Sequence, residues 1–389
     1  MAEFFRFDEL TWPEVADLPR DLPLVLPLGT GYAEAVIAEA LSHPPRIGIL
    51  PAFPFGWRGS GLEVPEPVLG KYIGNLLDSL REDGFSRVYA VTPCDINLGL
   101  GTSQLRINPH LTPDTSHLAL PPDSERSKVI LLPIGHTEQH AYHLPLSVDT
   151  IIIEAIARGA AEAVPDSGYT MPVMPYGVST HRSSFAGTMT AGGRAFEDFW
   201  LAVVDVLVQR GFDKFYLMSG HGGNMSFLVN VVKYAGDRHK RIFCATAFLH
   251  TAGPEGAAAL EQYRESKIGG MGHACELETS MMLALRPDLV RMERVVDDTD
   301  FVTTPSYYMD WIEGGALVAN PPWDDDTVSG AYGAGSLGTA EKGRRWLDVA
   351  IAEKVGHIHE IHEQQRRREQ RRRNRFGNWG KIARQEKKP

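Results

Sequence analysis

Residues 128–149 read KVILLPIGHTEQHAYHLPLSVD, and that stretch decides the fold. Lys128–Ile134 is a near-continuous apolar run, the pattern of a strand buried on both faces rather than of an alternating, half-exposed one. A polar segment follows, and Thr150–Ala163 then takes up a helical pattern. Strand, loop and helix in that order form the unit of a parallel sheet. Three His, one Glu and one Asp fall within residues 136–149. They sit at the carboxyl end of the predicted strand, where α/β folds place their ligands.

The same alternation recurs outward from this segment. Strands are predicted at Leu24–Leu28, Arg46–Leu50, Val88–Thr92, Thr170–Met174, Lys214–Met218 and Arg241–Ala247. Helices are predicted at Ala195–Arg210, Asn224–Gly236 and about Ala274–Leu285. The helix at 195–210 carries Phe196, Phe199, Trp200, Val203, Val204 and Leu207 at spacings of three and four, an apolar face. The fold class is therefore α/β with a mostly parallel sheet.

An internal repeat divides the chain. Val25-Leu26-Pro27-Leu28-Gly29 parallels Leu131-Leu132-Pro133-Ile134-Gly135, and Pro51-Ala52-Phe53-Pro54-Phe55-Gly56 parallels Pro172-Val173-Met174-Pro175-Tyr176-Gly177. Gly84-Phe85-Ser86-Arg87-Val88-Tyr89 parallels Gly211-Phe212-Asp213-Lys214-Phe215-Tyr216. Three matches in register imply two related halves. The halves differ where chemistry would sit: Thr30-Gly31-Tyr32-Ala33-Glu34 stands where the second half has residues 136–149, and Pro93-Cys94-Asp95 where it has Gly220-His221-Gly222. The expected organisation is a ligand-free half over 1–105, a linker over 106–127 in a region rich in Pro, Ser, Thr and Asp, a catalytic domain over 128–360 and a basic tail over 361–389.

Composition narrows the class. No apolar run reaches the length of a membrane span, and the acidic start MAEFFRFDELTWPE is unlike a signal peptide, so a cytoplasmic protein is expected. Three cysteines, Cys94, Cys244 and Cys275, match no zinc knuckle and read as buried thiols. The net charge of −10 conceals eleven Lys/Arg and two Glu in residues 366–389, which leaves about −19 on the rest. That tail reads as a solvated extension, or one docked on a neighbouring subunit's acidic body. A nucleic-acid arm is the lesser reading, because such arms usually accompany a domain of the same charge.

Three pieces carry the chemistry. Glu138 and His140, two apart, reach along one side of an extended loop, and Asp149 has two oxygens with which to bridge two ions or, alternatively, to cap the helix that follows. Carboxylate with imidazole suits Zn, Mn or Fe. Gly220-His221-Gly222-Gly223-Asn224 again follows a strand and precedes a helix; no Lys follows, as a phosphate loop would require. His273-Ala274-Cys275-Glu276-Leu277-Glu278 enters an apolar helix on which Glu276 and Glu278 point about 200° apart, so one of them faces the site.

Taken together, these motifs resemble the creatininase family. The matching residues are Gly135, Glu138-Gln139-His140, His143-Leu144-Pro145-Leu146 and Asp149; Tyr176-Gly177, Ser179, Phe185, Gly187-Thr188; Gly220-His221-Gly222-Gly223-Asn224; and His273-Ala274, Glu278-Thr279-Ser280. Leu10-Thr11-Trp12-Pro13-Glu14 also resembles the way such domains begin. The resemblance implies a creatininase-like α/β sandwich, here duplicated, and oligomers, commonly hexamers. It implies a metal-dependent amidohydrolase that cleaves C–N amide bonds of small, often cyclic substrates with a hydroxide bridging two divalent metals. Carried over by residue, Glu138 and His221 hold one metal, His140 the second, and Asp149 both. Glu278 supplies the second metal's carboxylate, with Glu276 in reserve, because Gly223 stands where creatininase has that ligand. His273 transfers protons and Glu278 shares in catalysis, while Ser179, His181, Gly222 and Gly223 contact substrate. Gly269 and Gly270 replace the family's creatinine-holding Trp and Asp, which argues against creatinine. Lactone opening or deformylation on the same site is the alternative, and a non-catalytic scaffold the other. A homo-oligomer is expected, a trimer of two-half chains imitating the hexamer.

Overall fold

The computed structural model describes residues 2–109, 121–180, 184–248, 253–310 and 314–385. In the first half β1 (Glu3–Arg6), β2 (Leu24–Pro27), β3 (Arg46–Ile49), β4 (Val88–Thr92) and β5 (Gln104–Arg106) make a parallel sheet in the order β1-β3-β2-β4-β5. Helices α1 (Trp12–Ala16), α2 (Glu34–Ala40) and α3 (Glu66–Glu82) connect the strands. In the second half β6 (Val129–Ile134), β7 (Gly168–Thr170), β8 (Lys214–Ser219) and β9 (Phe243–Phe248) are also all parallel, in the order β7-β6-β8-β9. Helices α4 (Val148–Ala163), α5 (Gly193–Gln209) and α6 (Met225–Arg238) join them. Every residue of β6 and β8 is buried, as their continuous apolar runs require.

The repeated sequence blocks occupy matching ladder positions. Val25 pairs with Tyr89 and Leu131 with Tyr216; beyond the strands, Leu28 bridges Phe53 and Ile134 bridges Met174. The two halves nonetheless share one core. Helix α3 lies against α5, with Phe199 at ring-centroid distances of 5.0 Å from Tyr72 and 5.5 Å from Phe53. The Tyr72 hydroxyl donates to the Tyr176 carbonyl (2.8 Å), and the Tyr176 hydroxyl to the Pro51 carbonyl (2.5 Å).

A third layer closes the second half. Helix α7 (Pro254–Tyr263) leads to β10 (Met271–His273) and α8 (Glu276–Leu285); a long strap, described over residues 295–310 and 314–330, precedes β11 (Tyr332–Gly333) and α9 (Ala340–Gln385). Helix α9 packs on α4, α7 and α8. Its Gly343 approaches the Ser280 carbonyl so closely that a Cβ would lie 1.9 Å away.

Four expectations change. The strand expected at Thr170–Met174 is a ladder over Gly168–Thr170 followed by a single bridge at Met174, because Pro172 has no N–H to donate. The linker begins on a paired residue, since Arg106 ends β5, and Asp123–Ser127 is a turn of 3-10 helix; the linker's middle lies outside the described residues. No backbone break separates residues 360 and 361: α9 runs through, with Ile361 and Gln365 buried. Of the cysteines expected to be buried, Cys275 is, Cys244 is half-buried and Cys94 is exposed.

Candidate metal centre

Four chain segments converge at the carboxyl edge of the second sheet. The loop after β6 brings His136 to His143, the start of α4 brings Asp149, the loop after β8 brings His221, and β10 with the start of α8 brings His273 and Glu278. The carboxylates of Asp149 and Glu278 lie in the first turns of their helices, where the helix dipole favours negative charge. The backbone is bent to deliver these side chains. Ala141 and Ala274, each directly after a site histidine, hold left-handed φ values of 54° and 48°. Such a conformation costs about 1 kcal/mol per residue and persists only where surrounding contacts hold it. Those contacts are visible: the Ala141 N–H donates to Gln139 Oε1 at 2.9 Å and the Ala274 N–H to Glu278 Oε2 at 2.5 Å.

The donor atoms are close and buried. His221 Nδ1 lies 2.9 Å from Glu138 Oε1 and 3.2 Å from Asp149 Oδ2, while His140 Nε2 lies 3.2 Å from Asp149 Oδ1 and 4.0 Å from Glu278 Oε1. All five side chains are at most 3% exposed. Two ligands of one tetrahedral zinc, at bond lengths near 2.0 Å, sit roughly 3.3 Å apart, so these separations suit ligation. Glu138, His140 and His273 form a further group of the same kind, as do His136, Glu138 and His221.

Each histidine presents one nitrogen inward and commits the other to a backbone carbonyl. His221 Nε2 donates to Val178 O (3.0 Å), His140 Nδ1 to Glu138 O (3.1 Å) and His273 Nε2 to Gln139 O (2.7 Å). The tautomers follow: neutral His221 and His273 turn bare Nδ1 inward, and His140 turns Nε2 inward. His136 differs. Its Nδ1 accepts the Gly177 N–H at 2.9 Å, so the proton of the neutral ring is on Nε2, 3.9 Å from Glu138 Oε2. In that tautomer its Nε2 offers no lone pair to a cation. The buried acids and histidines shift one another. Burial lowers the pKa of His221, but the charge of Glu138 and hydrogen bonds with Asp149 and Glu138 outweigh it and raise it to about 9. His140 is raised in the same way, and Asp149 is lowered because the histidines outweigh its burial. His143 is pushed down to about 4 by burial, and its Nε2 bonds the Thr279 hydroxyl at 2.9 Å, tying the loop to α8.

The other predicted residues separate clearly. Glu276 turns away from the centre; its carboxylate takes the N–H groups of Glu265 and Ser266 and the Lys342 ammonium. Gly222 lines the cavity beside the donors. A Cβ on Gly223 would stand 2.4 Å from both His221 Nε2 and the Val178 carbonyl, so no side chain fits there in this loop. Ser179 is buried but is not among the residues lining the cavity, and His181 lies outside the described residues. The cavity, about 90 Å³, is lined by Glu138, Asp149, His221, His273 and Glu278 together with Met309 and Asp310 of the strap. Trp323 sets its ring 5.1 Å from that of His273, and Gln139 Nε2 donates to Gly330 O at 2.9 Å. The sequence reading missed these strap residues, and no local pattern marks them.

Residues 119–358 match the family described as Creatininase: Creatinine amidohydrolase. The chain belongs to the creatininase family of amidohydrolases. It is 28% identical over 245 residues to a creatinine amidohydrolase of Pseudomonas putida, a match covering 60% of this chain and 89% of that one. It is 28% identical over 242 residues to a mycofactocin precursor peptide peptidase of Mycobacterium ulcerans, covering 59% and 84%. It is 27% identical over 255 residues to a 3-dehydro-scyllo-inosose hydrolase of Thermotoga maritima, covering 61% and 78%. A manganese form of creatininase superposes with a TM-score of 0.52 at 24% identity, over 64% of this chain and 96% of that one, which establishes the shared fold. A variant creatininase of Zn-Zn type superposes at 0.51, also at 24% identity, over 61% and 92%. Among the described residues no helix is long and apolar enough to cross a membrane.

Proposed function

We propose that this chain hydrolyses a C–N amide bond in a compact substrate with the help of two divalent cations, Zn, Mn or Fe. The observation that carries the reading is the posture of Asp149, whose Oδ1 faces His140 and whose Oδ2 faces His221, each at 3.2 Å. Glu138 and His221 would hold one cation, His140 and Glu278 the other, and Asp149 both. Cations held there lower the pKa of an intervening water and polarise a carbonyl. The protein supplies the rest. His273, with its Nε2 proton committed to Gln139 O, turns a bare Nδ1 toward Glu138, 3.9 Å away, where it would take up the proton lost by the attacking water and pass it to the leaving nitrogen. Gly222, bare of side chain beside the donors, leaves room for the substrate and for a backbone N–H to meet the developing oxyanion. Glu278 orients the second half of the centre through its bond to the Ala274 N–H.

The matching strand orders and registers support descent of the two halves from one duplicated unit, the first without ligands; three such chains would imitate a six-unit assembly. Light scattering at the mass of a single chain would end that idea. The function is tested by metal analysis of the purified protein, then a screen of cyclic amides, N-formyl compounds and lactones. Two bound metals per chain and turnover of amides are expected. Failure to bind Zn, Mn or Fe, or turnover of lactones alone, refutes the reading.

A further inference from the structure

The two ends of helix α9 stand in opposite charge. Residues 295–340, which precede it, hold eight Asp or Glu and no Lys, Arg or His, whereas residues 366–373 read RRREQRRR. The acidic strap is tied to the beginning of the helix: Asp297 accepts the Ser336 N–H at 2.8 Å, and Asp326 Oδ2 accepts the Tyr332 hydroxyl at 2.6 Å. From Ala340 to Arg366 the helix rises roughly 39 Å at about 1.5 Å per residue. An unbroken helix cannot fold its basic end back onto the acids at its own start. At that basic end Arg366 and Arg367 share Glu363, and Arg368 lies over the Phe243 ring at 5.1 Å. Beyond Gln365 no residue of α9 whose side chain is described is buried, and Arg371 and Arg373 are exposed. The strap is exposed in a second way. Of the nine large hydrophobic side chains that the described residues expose, five belong to residues 295–330, among them Val302 at 72%, Val318 at 93% and Val328 at 81%. They interleave with acids: the Val302 N–H donates to Asp326 Oδ1 at 3.0 Å, Val328 follows two residues on, and Asp300, Asp324 and Asp325 are exposed around them. Clustered exposed apolar groups mark an interaction surface. Arginine suits this one, because its aliphatic stem covers apolar groups while its guanidinium meets carboxylates.

We propose that the arginine-rich end of α9 docks on the acidic, apolar strap of a second copy of this chain. Nucleic acid fits the same arginines less well, because the chain outside residues 366–389 carries about −19 and repels phosphates. Helix end and strap are different surfaces, so each copy gives one helix and receives another, a head-to-tail contact. The strap also supplies Met309 and Asp310 to the cavity, so the neighbour's helix binds the segment that lines the site. The contact is independent of the reaction catalysed there. The test is the self-association of the full chain, followed by sedimentation velocity, with two sets of surface substitutions. Arg371→Glu, Arg372→Glu and Arg373→Glu reverse the helix; Asp300→Lys, Asp324→Lys and Asp325→Lys reverse the strap. Either set alone should weaken association at least about tenfold, and the chain carrying both sets should regain it, since reversed helix again meets reversed strap. Wild-type association should also weaken between about 0.05 M and about 1 M salt, where screening shortens to about 3 Å. A wild-type chain that stays monomeric, either set associating as tightly as wild type, or no recovery with both sets overturns the proposal. So does a wild-type chain that remains monomeric until a duplex oligonucleotide is added and then binds it through these arginines. Should a variant fail to fold, the salt dependence of the wild type decides: association equally tight at both salts overturns the proposal.

Discussion

Metal binding at the proposed centre should release protons, because His221 is held charged when no cation is present. Burial works against the His221 imidazolium, but Glu138 and Asp149 more than compensate, and its pKa stands at about 9, against an ordinary 6.5. At pH 7 the ring is therefore protonated, and a cation can reach Nδ1 only by displacing that proton. Two pKa units at pH 7 correspond to about 2.7 kcal/mol, a hundredfold weakening of apparent affinity. Between pH 6 and 8 each proton displaced should strengthen binding about tenfold per pH unit. His140 is shifted upward too, burial being outweighed by Asp149, Glu278 and Glu138, so it adds to the release. The sign for stability follows from the same shift. The folded-state pKa of His221 is raised, so its contribution is complete below the unfolded value of 6.5 and disappears as pH rises through about 9. Chelator-treated protein should thus melt lower at pH 9.5 than at pH 6.5, with an upper bound near 3 kcal/mol from this group. The assay for proton release is calorimetric titration with Zn²⁺ or Mn²⁺ at pH 7 in buffers of different ionisation enthalpy. Saturable metal binding whose heat does not depend on the buffer refutes the reasoning.

Asp149→Ala should remove both metals together, read by elemental analysis; metal content near wild type would refute its bridging posture. Glu278→Gln should lower metal content toward one ion per chain, while Glu276→Gln should keep both and cost about 1–3 kcal/mol in chemical denaturation, because it weakens a buried contact with Lys342. Asp83 receives the Gly187 N–H at 2.7 Å, and burial raises its pKa to about 6 against the opposing pull of that bond and of Arg20. Its stabilising contribution is complete below pH 3.8 and lost as pH rises through about 6. Asp83→Asn should therefore raise the melting temperature at pH 8, by up to about 3 kcal/mol in stability, and leave it unchanged at pH 3.5; equal effects at both pH values would contradict this account.

The sheets and the metal loop were legible because their signals are local. Continuous apolar runs mark β6 and β8, and polar residues interrupt them only where the chain turns over the sheet edge. Helix α3 was legible yet passed over: Leu69, Tyr72, Ile73, Leu76, Leu77 and Leu80 carry a helical spacing as clear as that of α5. Strands β1 and β5, of four and three residues, are too short to show a period. The choice between Glu276 and Glu278 was beyond local reasoning. Helical geometry states that one of them faces inward, but Lys342, 66 residues onward, decides which. The strap has no period at all, and contacts such as Gln139 to Gly330, 191 residues apart, place it. More than half of α9, from residue 361 onward, reads as a tail in the sequence because its charge masks its helicity, although Gln365, which bonds Asp213 and the Arg241 carbonyl, commits it to the fold.

The shared packing of α3 against α5 bears on how the chain is made. During synthesis the first half leaves the ribosome before α5 exists, and the rings of Phe53, Phe55 and Tyr72 have no Phe199 or Trp200 to meet. About a hundred residues must still be translated, which takes on the order of ten seconds at ordinary elongation rates. For that interval a nascent half-protein leaves these rings without the partners that cover them in the finished fold.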